Sequence, residues 1–106
     1  MSRYLISGTY TAEGSKGLMH EGGSKRREHI AGMVKDAGGT LEAYYWALGD
    51  TDFYAIAEMP DVASVTAVAL TVSGSGAVRV KTTVLLTAEE IDQAAGRKVS
   101  YRPPGV

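Results

Sequence analysis

The chain has 106 residues, of which 44% are hydrophobic, and this predicts one globular domain with a modest core. The formal net charge of −1 disfavours a nucleic-acid partner, because most of the affinity for nucleic acid comes from phosphate contacts. There is no cysteine, so disulfides, thiolate metal sites and cysteine nucleophiles are excluded. No apolar run approaches the roughly 20 residues that span a bilayer, and the N-terminus lacks a signal-peptide pattern. We therefore expect a cytoplasmic protein with no membrane partner.

The first half of the chain predicts a strand followed by a long helix. Tyr4–Tyr10 is rich in aromatic and β-branched residues, which favours a strand. Thr11 then opens a helical stretch whose later part carries an apolar stripe at helical spacing, made of Ile30, Met33, Val34 and Ala37. Gly22 and Gly23 each cost about 1 kcal/mol relative to alanine inside a helix. We expect the helix to start late, to kink, or to approach a neighbour closely at these glycines, and to end at Gly38–Gly39.

A hairpin and a second helix follow. Thr40–Leu48 and Asp52–Glu58 are predicted strands, and the loop between them is short enough for a hairpin. Pro60 ends the third strand. Asp61 is a good N-cap for a helix over Val62–Val72.

The chain closes with a fourth strand, a short helix and an extended tail. Ala77–Leu86 is the predicted strand, and Thr87–Glu90 has the form of a capping box, which predicts a helix up to Gly96. We assign residues 1–97 to the domain and Lys98–Val106 to an extended tail that lies against the body or a partner subunit. The order βαββαβ predicts an α+β fold of ferredoxin-like type with helices on one face of the sheet.

Aromatic residues on both faces of the hairpin strands predict self-association. Simple alternation puts Leu41, Ala43, Tyr45 and Ala47 on one face of the second strand, and Glu42, Tyr44, Trp46 and Leu48 on the other. The third strand places Phe53, Ala55 and Ala57 opposite Tyr54 and Ile56. Helices cover one face only, and a large exposed apolar patch usually marks an interaction site. We predict a homodimer or higher oligomer with Trp46, Tyr44 or Tyr45 at the sheet interface; the alternative is a monomer with half-exposed aromatics.

The segment Leu48–Asp61 resembles the signature of the GYD domain family, a Gly-x-Tyr-Asp-like turn that leads into a strand and then Glu-x-Pro-Asp. Gly49 and Asp52 match that turn, whereas Thr51 stands at the position of the tyrosine. The resemblance extends over most of the chain through short motifs: Thr9-Tyr10-Thr11, Gly38-Gly39, Tyr45-Trp46, Gly76-Ala77-Val78-Arg79 and Tyr101-Arg102-Pro103-Pro104-Gly105. It implies a dimeric α/β barrel, the fold class of antibiotic-biosynthesis monooxygenases and haem-degrading enzymes, and it implies no particular activity.

No catalytic constellation stands out, so the candidate residues are those that suit a pocket. We predict a site inside each sheet–helix half or at the mouth of the barrel, and the ligand-binding candidates are Tyr44, Trp46, Tyr54, Arg79, Lys81 and His29. Arg79 and Lys81 share one face of the fourth strand, taken as a middle strand, where Glu42 or Glu58 is a possible partner. His29 is either an axial haem ligand or a solvated helix residue beside Arg26, Arg27 and Glu28. The basic cluster Lys25–Arg27 is either a solvated helix face or a group that orients an anionic ligand at the barrel mouth.

Several functions are compatible with this pattern. The first is a small homo-oligomeric protein that binds a small ligand or a partner. The second is a cofactor-independent oxygenase, isomerase or decarboxylase of the dimeric-barrel class. Haem binding through His29 is the third, and an RNA-recognition sheet, which the net charge disfavours, is the fourth. The sequence predicts no cofactor and no metal, since His20 and His29 lack the i, i+4 spacing of a helical metal pair.

Overall fold

The computed structural model describes all of residues 1–106 and has the predicted α+β, ferredoxin-like architecture. The elements are β1 Ser2–Tyr10, α1 Ala12–Glu21, α2 Gly23–Asp36, β2 Thr40–Trp46, β3 Phe53–Met59, α3 Val62–Gly74, β4 Val78–Leu85 and α4 Ala88–Ala95. The strands form one antiparallel sheet in the order β2-β3-β1-β4. None of the four helices is both long and apolar enough to cross a membrane.

The long predicted helix is divided into α1 and α2 at the glycine pair. Gly22 has φ 88° and ψ 161°, a conformation that is almost exclusive to glycine. At Gly23 the ring of Trp46 comes so close that an added Cβ would lie 3.4 Å from it. The expected kink and the expected close approach are therefore both present, at adjacent residues.

A β-bulge changes the predicted faces only at the start of β2, and the predicted separation of Ala43 and Tyr45 from Tyr44 and Trp46 is confirmed. Leu41 lies opposite Ala57 and Ala43 lies opposite Ile56, so Glu42 is an extra residue in the ladder. Leu41 therefore shares the helix-covered face with Tyr44 and Trp46, whereas Ala43 and Tyr45 share the other face. The Glu42 carboxylate accepts from the guanidinium of Arg3 on β1, with Nε and Oε1 2.6 Å apart. Tyr44 and Trp46 are thus not at the uncovered sheet surface, and only Tyr45 of the three predicted interface aromatics is.

The core lies between the sheet and helices α2 and α3. Strand β3 shows the strict alternation that was predicted, with Phe53, Ala55, Ala57 and Met59 buried. One group of buried side chains joins Tyr4, Ala57 and Met59 to Val34, Val65 and Val68 from the helices. A second, towards the other end of the sheet, consists of Tyr44, Phe53, Ala55 and Val78. The alternation of β3 identifies the face that the helices cover.

The opposite face of the sheet, which we call the open face, carries no helix. The centre of this face is apolar. Leu5 of β1 lies opposite Ile56 of β3, and next to this pair Tyr45 of β2 lies opposite Tyr54 of β3. Tyr45 is 71% exposed and Tyr54 is 43% exposed. Arg79 and Lys81 also lie on this face, but β4 is an edge strand and both are exposed. The expectation of a middle strand is therefore wrong. Neither expected partner pairs with Arg79 or Lys81, since Glu42 binds Arg3 and Glu58 is in no ion pair.

The C-terminal part of the chain stands away from the body. Helix α4 has the predicted capping box, formed by Thr87 and Glu90, but none of its residues is buried. Residues 96–106 are exposed throughout, and the molecule is 57 Å long against 32 and 23 Å in the other directions. The tail was predicted to lie against the body of the domain or against a partner subunit, and the contact with the body is absent. The C-terminal arm, which we define as residues 86–106, leaves its apolar side chains Leu86, Ile91, Val99 and Tyr101 uncovered.

Candidate ligand-binding chamber

A cavity of about 400 Å³ opens on the helix side of the sheet. It lies where α1, α2 and the end of α3 meet above the end of β1 and the start of β4, and we call it the chamber. Its apolar wall consists of Leu18, Ile30, Met33, Val72, Ala77 and Val78, and its polar groups are mainly those of Tyr10, Glu13, Glu21, Arg26 and His29. A concave apolar wall with a few converging polar groups is the usual form of a small-molecule site.

Asp52 holds the end of β1 and so places Tyr10 in the chamber wall. Its carboxylate oxygen Oδ2 accepts from the backbone N–H of Tyr10 at 2.8 Å, and its own N–H donates to the carbonyl of Gly8 at 2.8 Å. The turn before it uses Gly49 at φ 123°. Asp52 thus does more than shape its own hairpin, since it ties the β2–β3 loop to the last residue of β1.

A hydrogen-bonded aromatic group lies directly behind the chamber. The indole Nε1–H of Trp46 donates to the hydroxyl of Tyr10 at 3.0 Å, and the hydroxyls of Tyr10 and Tyr44 are 3.4 Å apart. The ring of Tyr44 stacks on Phe53 with centroids 5.3 Å apart, and the Trp46 and Tyr44 rings are 4.7 Å apart. These contacts fix the position of the Tyr10 hydroxyl.

The direction of the bond between the two tyrosines follows from burial. Tyr44 is only 6% exposed, and the Tyr10 hydroxyl is the one acceptor available to it, since the neighbouring Arg26 guanidinium has donors only. If Tyr10 were the donor, the Tyr44 O–H would be left without an acceptor, which costs about 1–3 kcal/mol for a buried group. Tyr10 is only half-buried and lines the chamber, so its own O–H can donate to solvent or to a ligand there. We therefore assign Tyr44 as the donor and Tyr10 as the acceptor.

The Tyr44 hydroxyl stays neutral. Burial raises the pKa of Tyr44 far above its ordinary value, and the hydrogen bond with Tyr10 raises it further. The nearby positive charge of Arg26 acts in the opposite direction but does not reverse the shift. Tyr44 consequently serves as a hydrogen-bond donor, not as a proton acceptor in catalysis.

Two basic side chains of α2 border the chamber and differ in their partners. His29 lies at the surface with its side chain 67% exposed, and its Nδ1 is paired with the carboxylate of Glu21 at the end of α1. Arg26 is half-buried, and neither the Arg3–Glu42 ion pair nor the His29–Glu21 contact includes it. The Arg26 guanidinium is thus a positive charge at the chamber without an acidic partner.

The six residues predicted to bind a ligand do not form one site. His29 lines the chamber, and Tyr44 and Trp46 support its wall through Tyr10. Tyr54, Arg79 and Lys81 lie on the open face, on the other side of the sheet, because side chains alternate along β3 and β4.

Tyr10 was missed as a candidate for the site, since it was used only as the end of a strand. Arg26 was considered only within the cluster Lys25–Arg27, for which anion binding at the barrel mouth was the alternative to a solvated face. Arg26, Ile30 and Met33 stand at i, i+4 and i+7, so the helical periodicity that revealed the apolar stripe also places Arg26 on it.

The comparison with known proteins agrees with this architecture. The GYD domain family matches residues 4–95, which include every residue of the chamber and of the aromatic group behind it. No curated protein and no solved structure matches the chain. Because the match covers most of the 106 residues, the chain belongs to the GYD domain family.

Proposed function

We propose that this protein binds a small organic ligand in the chamber, and that it does so as a homodimer. The observation that carries the proposal is the chamber itself, a cavity of about 400 Å³ with an apolar wall and the hydroxyl of Tyr10 held at its edge. Cavities of a few hundred Å³ with this composition suit small ligands.

Binding is favoured here over catalysis. An oxygenase or isomerase of the dimeric-barrel class needs a group that accepts a proton or activates the substrate. The most perturbed group beside the chamber is Tyr44, whose raised pKa keeps it protonated. The aromatic group is therefore built to hold hydrogen bonds in place.

The chamber can be filled without disturbing the core. Thr71 lines the chamber from α3, and Thr66 lies on the same helix outside it. Both are exposed, and each side chain donates to the carbonyl four residues earlier at 2.7 Å. Thr71→Phe and Thr66→Phe therefore make a matched pair of test and control.

The experiment is a fragment screen by NMR with uniformly ¹⁵N-labelled protein. Fragments that bind in the chamber are expected to shift the amide signals of α1 and the first half of α2. Thr71→Phe should abolish those shifts, whereas Thr66→Phe should retain them. The proposal fails if no fragment shifts these signals, or if both variants bind equally well.

The open face supports the second part of the proposal. Leu5, Ile56, Tyr45 and Tyr54 form a continuous apolar surface across three strands. A second copy that packs its own open face there would cover this surface, and twofold dimers are the commonest assembly of this kind. Ile56 lies near the middle of this face.

Sedimentation at micromolar concentration tests the dimer. The wild type is expected to sediment as a species larger than the 11.2 kDa chain, and Ile56→Lys is expected to be monomeric. Ala67→Lys, on the exposed side of α3, is the control that should remain dimeric. A wild-type protein that sediments only at 11.2 kDa would rule out the dimer without affecting the chamber proposal.

A further inference from the structure

We propose that the ligand of the chamber is a carboxylate on an apolar body, and that the Tyr10 hydroxyl and the Arg26 guanidinium bind its oxygens. This inference rests on the proposed function, since it names the class of ligand for the same chamber. Each polar group at the inner wall can make a limited number of hydrogen bonds, and this number determines which donors remain free for a ligand.

The hydroxyl of Tyr10 has a free proton and no free lone pair. A phenolic hydroxyl has one proton to donate and accepts about two hydrogen bonds. Tyr10 accepts from the indole of Trp46, which has a donor only, and from the buried hydroxyl of Tyr44. Its remaining O–H has no acceptor within the protein, and because Tyr10 lines the chamber this proton is available to a ligand there. Bonds in such a chain strengthen one another, so this O–H is a better donor than an isolated tyrosine.

Arg26 supplies a second donor with a positive charge. A guanidinium has five N–H donors and no acceptor, and it matches the two oxygens of a carboxylate. Arg26 borders the chamber beside Ile30 and Met33, and no acidic residue pairs with it. It lies close enough to Tyr44 for its charge to act on that hydroxyl, so it belongs to the same inner wall as the aromatic group. The neutral donor of Tyr10 and the unpaired cationic donor of Arg26 together fit an anionic oxygen pair.

The acidic residues of the chamber determine which end of the ligand points inward. Glu21 is engaged with His29, and Glu13 is exposed in the first turn of α1. These carboxylates repel an anion from the α1 side, whereas Arg26 attracts it towards the aromatic group. The carboxylate therefore points inward to Tyr10 and Arg26, and the apolar body lies along Ile30, Met33 and Val72.

The single tryptophan of the chain provides the assay. Its indole N–H gives one well-separated signal in a ¹H–¹⁵N spectrum, and that N–H is bonded to the Tyr10 hydroxyl. A ligand that accepts from Tyr10 should shift the indole signal through the hydrogen bond. Three probes with the same ring separate the contributions of charge, hydrogen bonding and apolar contact to binding. Benzoate has the carboxylate, acetophenone has a neutral carbonyl, and toluene has neither.

We expect benzoate to bind most tightly, acetophenone less tightly, and toluene weakest with the smallest shift of the indole signal. Tyr10→Phe and Arg26→Gln should each weaken benzoate binding by about ten- to a hundred-fold, the range for a hydrogen bond that involves a charge. Neither variant should weaken toluene binding by more than a small factor. Arg27→Gln, which changes the exposed neighbouring arginine, is the matched control and should bind benzoate like the wild type.

The possible failures are distinguishable. If toluene and benzoate bind equally well and Arg26→Gln has no effect, the chamber binds ligands but the carboxylate inference is overturned. If none of the probes shifts the indole or the chamber amides, and the fragment screen also finds no binder, both proposals fail. Arg26→Gln keeps the test decisive if Tyr10→Phe disturbs the fold, since it leaves the aromatic group intact.

Discussion

The role of Asp52 can be tested by removing its carboxylate. In Asp52→Ala the backbone N–H of Tyr10 loses the acceptor that lies 2.8 Å away, whereas the two backbone hydrogen bonds of residue 52 remain possible. The perturbation is therefore confined to one bond between the hairpin loop and the end of β1. That bond joins a partly buried donor to a charged acceptor.

The expected cost follows from the kind of bond. Hydrogen bonds to charged groups contribute about 1.5–3 kcal/mol, and the partial exposure of Asp52 places it near the lower end, at about 2 kcal/mol. For a chain of this size, 1 kcal/mol corresponds to roughly 4 °C in Tm, so we expect a fall of about 8 °C. Asp52→Asn keeps an acceptor oxygen without the charge and should lose about half as much.

Urea denaturation measures the free energy of unfolding, at a protein concentration where all variants have the same oligomeric state. Asp50→Ala is the control, since Asp50 is exposed in the same loop and should change stability by less than about 0.5 kcal/mol. The Trp46 indole signal should also shift in Asp52→Ala, because Tyr10 is the acceptor of that N–H. If Asp52→Ala is as stable as Asp50→Ala and leaves the indole signal in place, Asp52 does not position Tyr10.

Three further predictions concern a buried hydroxyl, a helix cap and the glycine break. Because the pKa of Tyr44 is raised by burial, its ring signal in a ¹³C-tyrosine spectrum should not titrate near pH 10, where an exposed tyrosine ionises; titration there would contradict the assigned burial. Asp61 caps α3, and the side chain of Ser64, together with the hydrogen bond from the Ser64 N–H, lowers the pKa of Asp61 below its ordinary value of 3.8. The charged Asp61 carboxylate therefore stabilises the fold above pH 3.8, and this stabilisation is lost as the pH falls through the lowered pKa. In urea denaturation the wild type should be more stable than Asp61→Ala at neutral pH, and the two proteins should converge in acid. Gly22→Ala should lower the free energy of unfolding by about 1–3 kcal/mol in the same assay, because Gly22 has a φ of 88°. Gly32→Ala lies within α2 with open space around it and should raise the stability by up to about 1 kcal/mol. Equal effects of the two substitutions would contradict a helix break at Gly22.

The local elements of this protein were predictable from the sequence, because their signals involve residues close together in the chain. The capping box of Thr87 and Glu90, the cap at Asp61 and the alternation of β3 each depend on a few neighbouring positions. The glycine pair predicted the break between α1 and α2 for the same reason: the cost of glycine in a helix is local. Element order then led to the sheet topology, since few arrangements of βαββαβ are favourable.

The composition of the site was decided by tertiary structure. One extra residue, Glu42, moved Leu41 to the face of β2 that carries Tyr44 and Trp46. The helices cover that face, so of the three aromatic residues expected at the interface only Tyr45 lies on the open face. A bulge depends on the partner strand, and here Arg3, which lies far away in sequence, binds the extra residue. The separation of Arg79 and Lys81 from the chamber likewise follows from β4 being an edge strand with its charges on the open face. The link from Asp52 through Tyr10 to Trp46 joins three segments, and only the folded chain brings their atoms within hydrogen-bond distance.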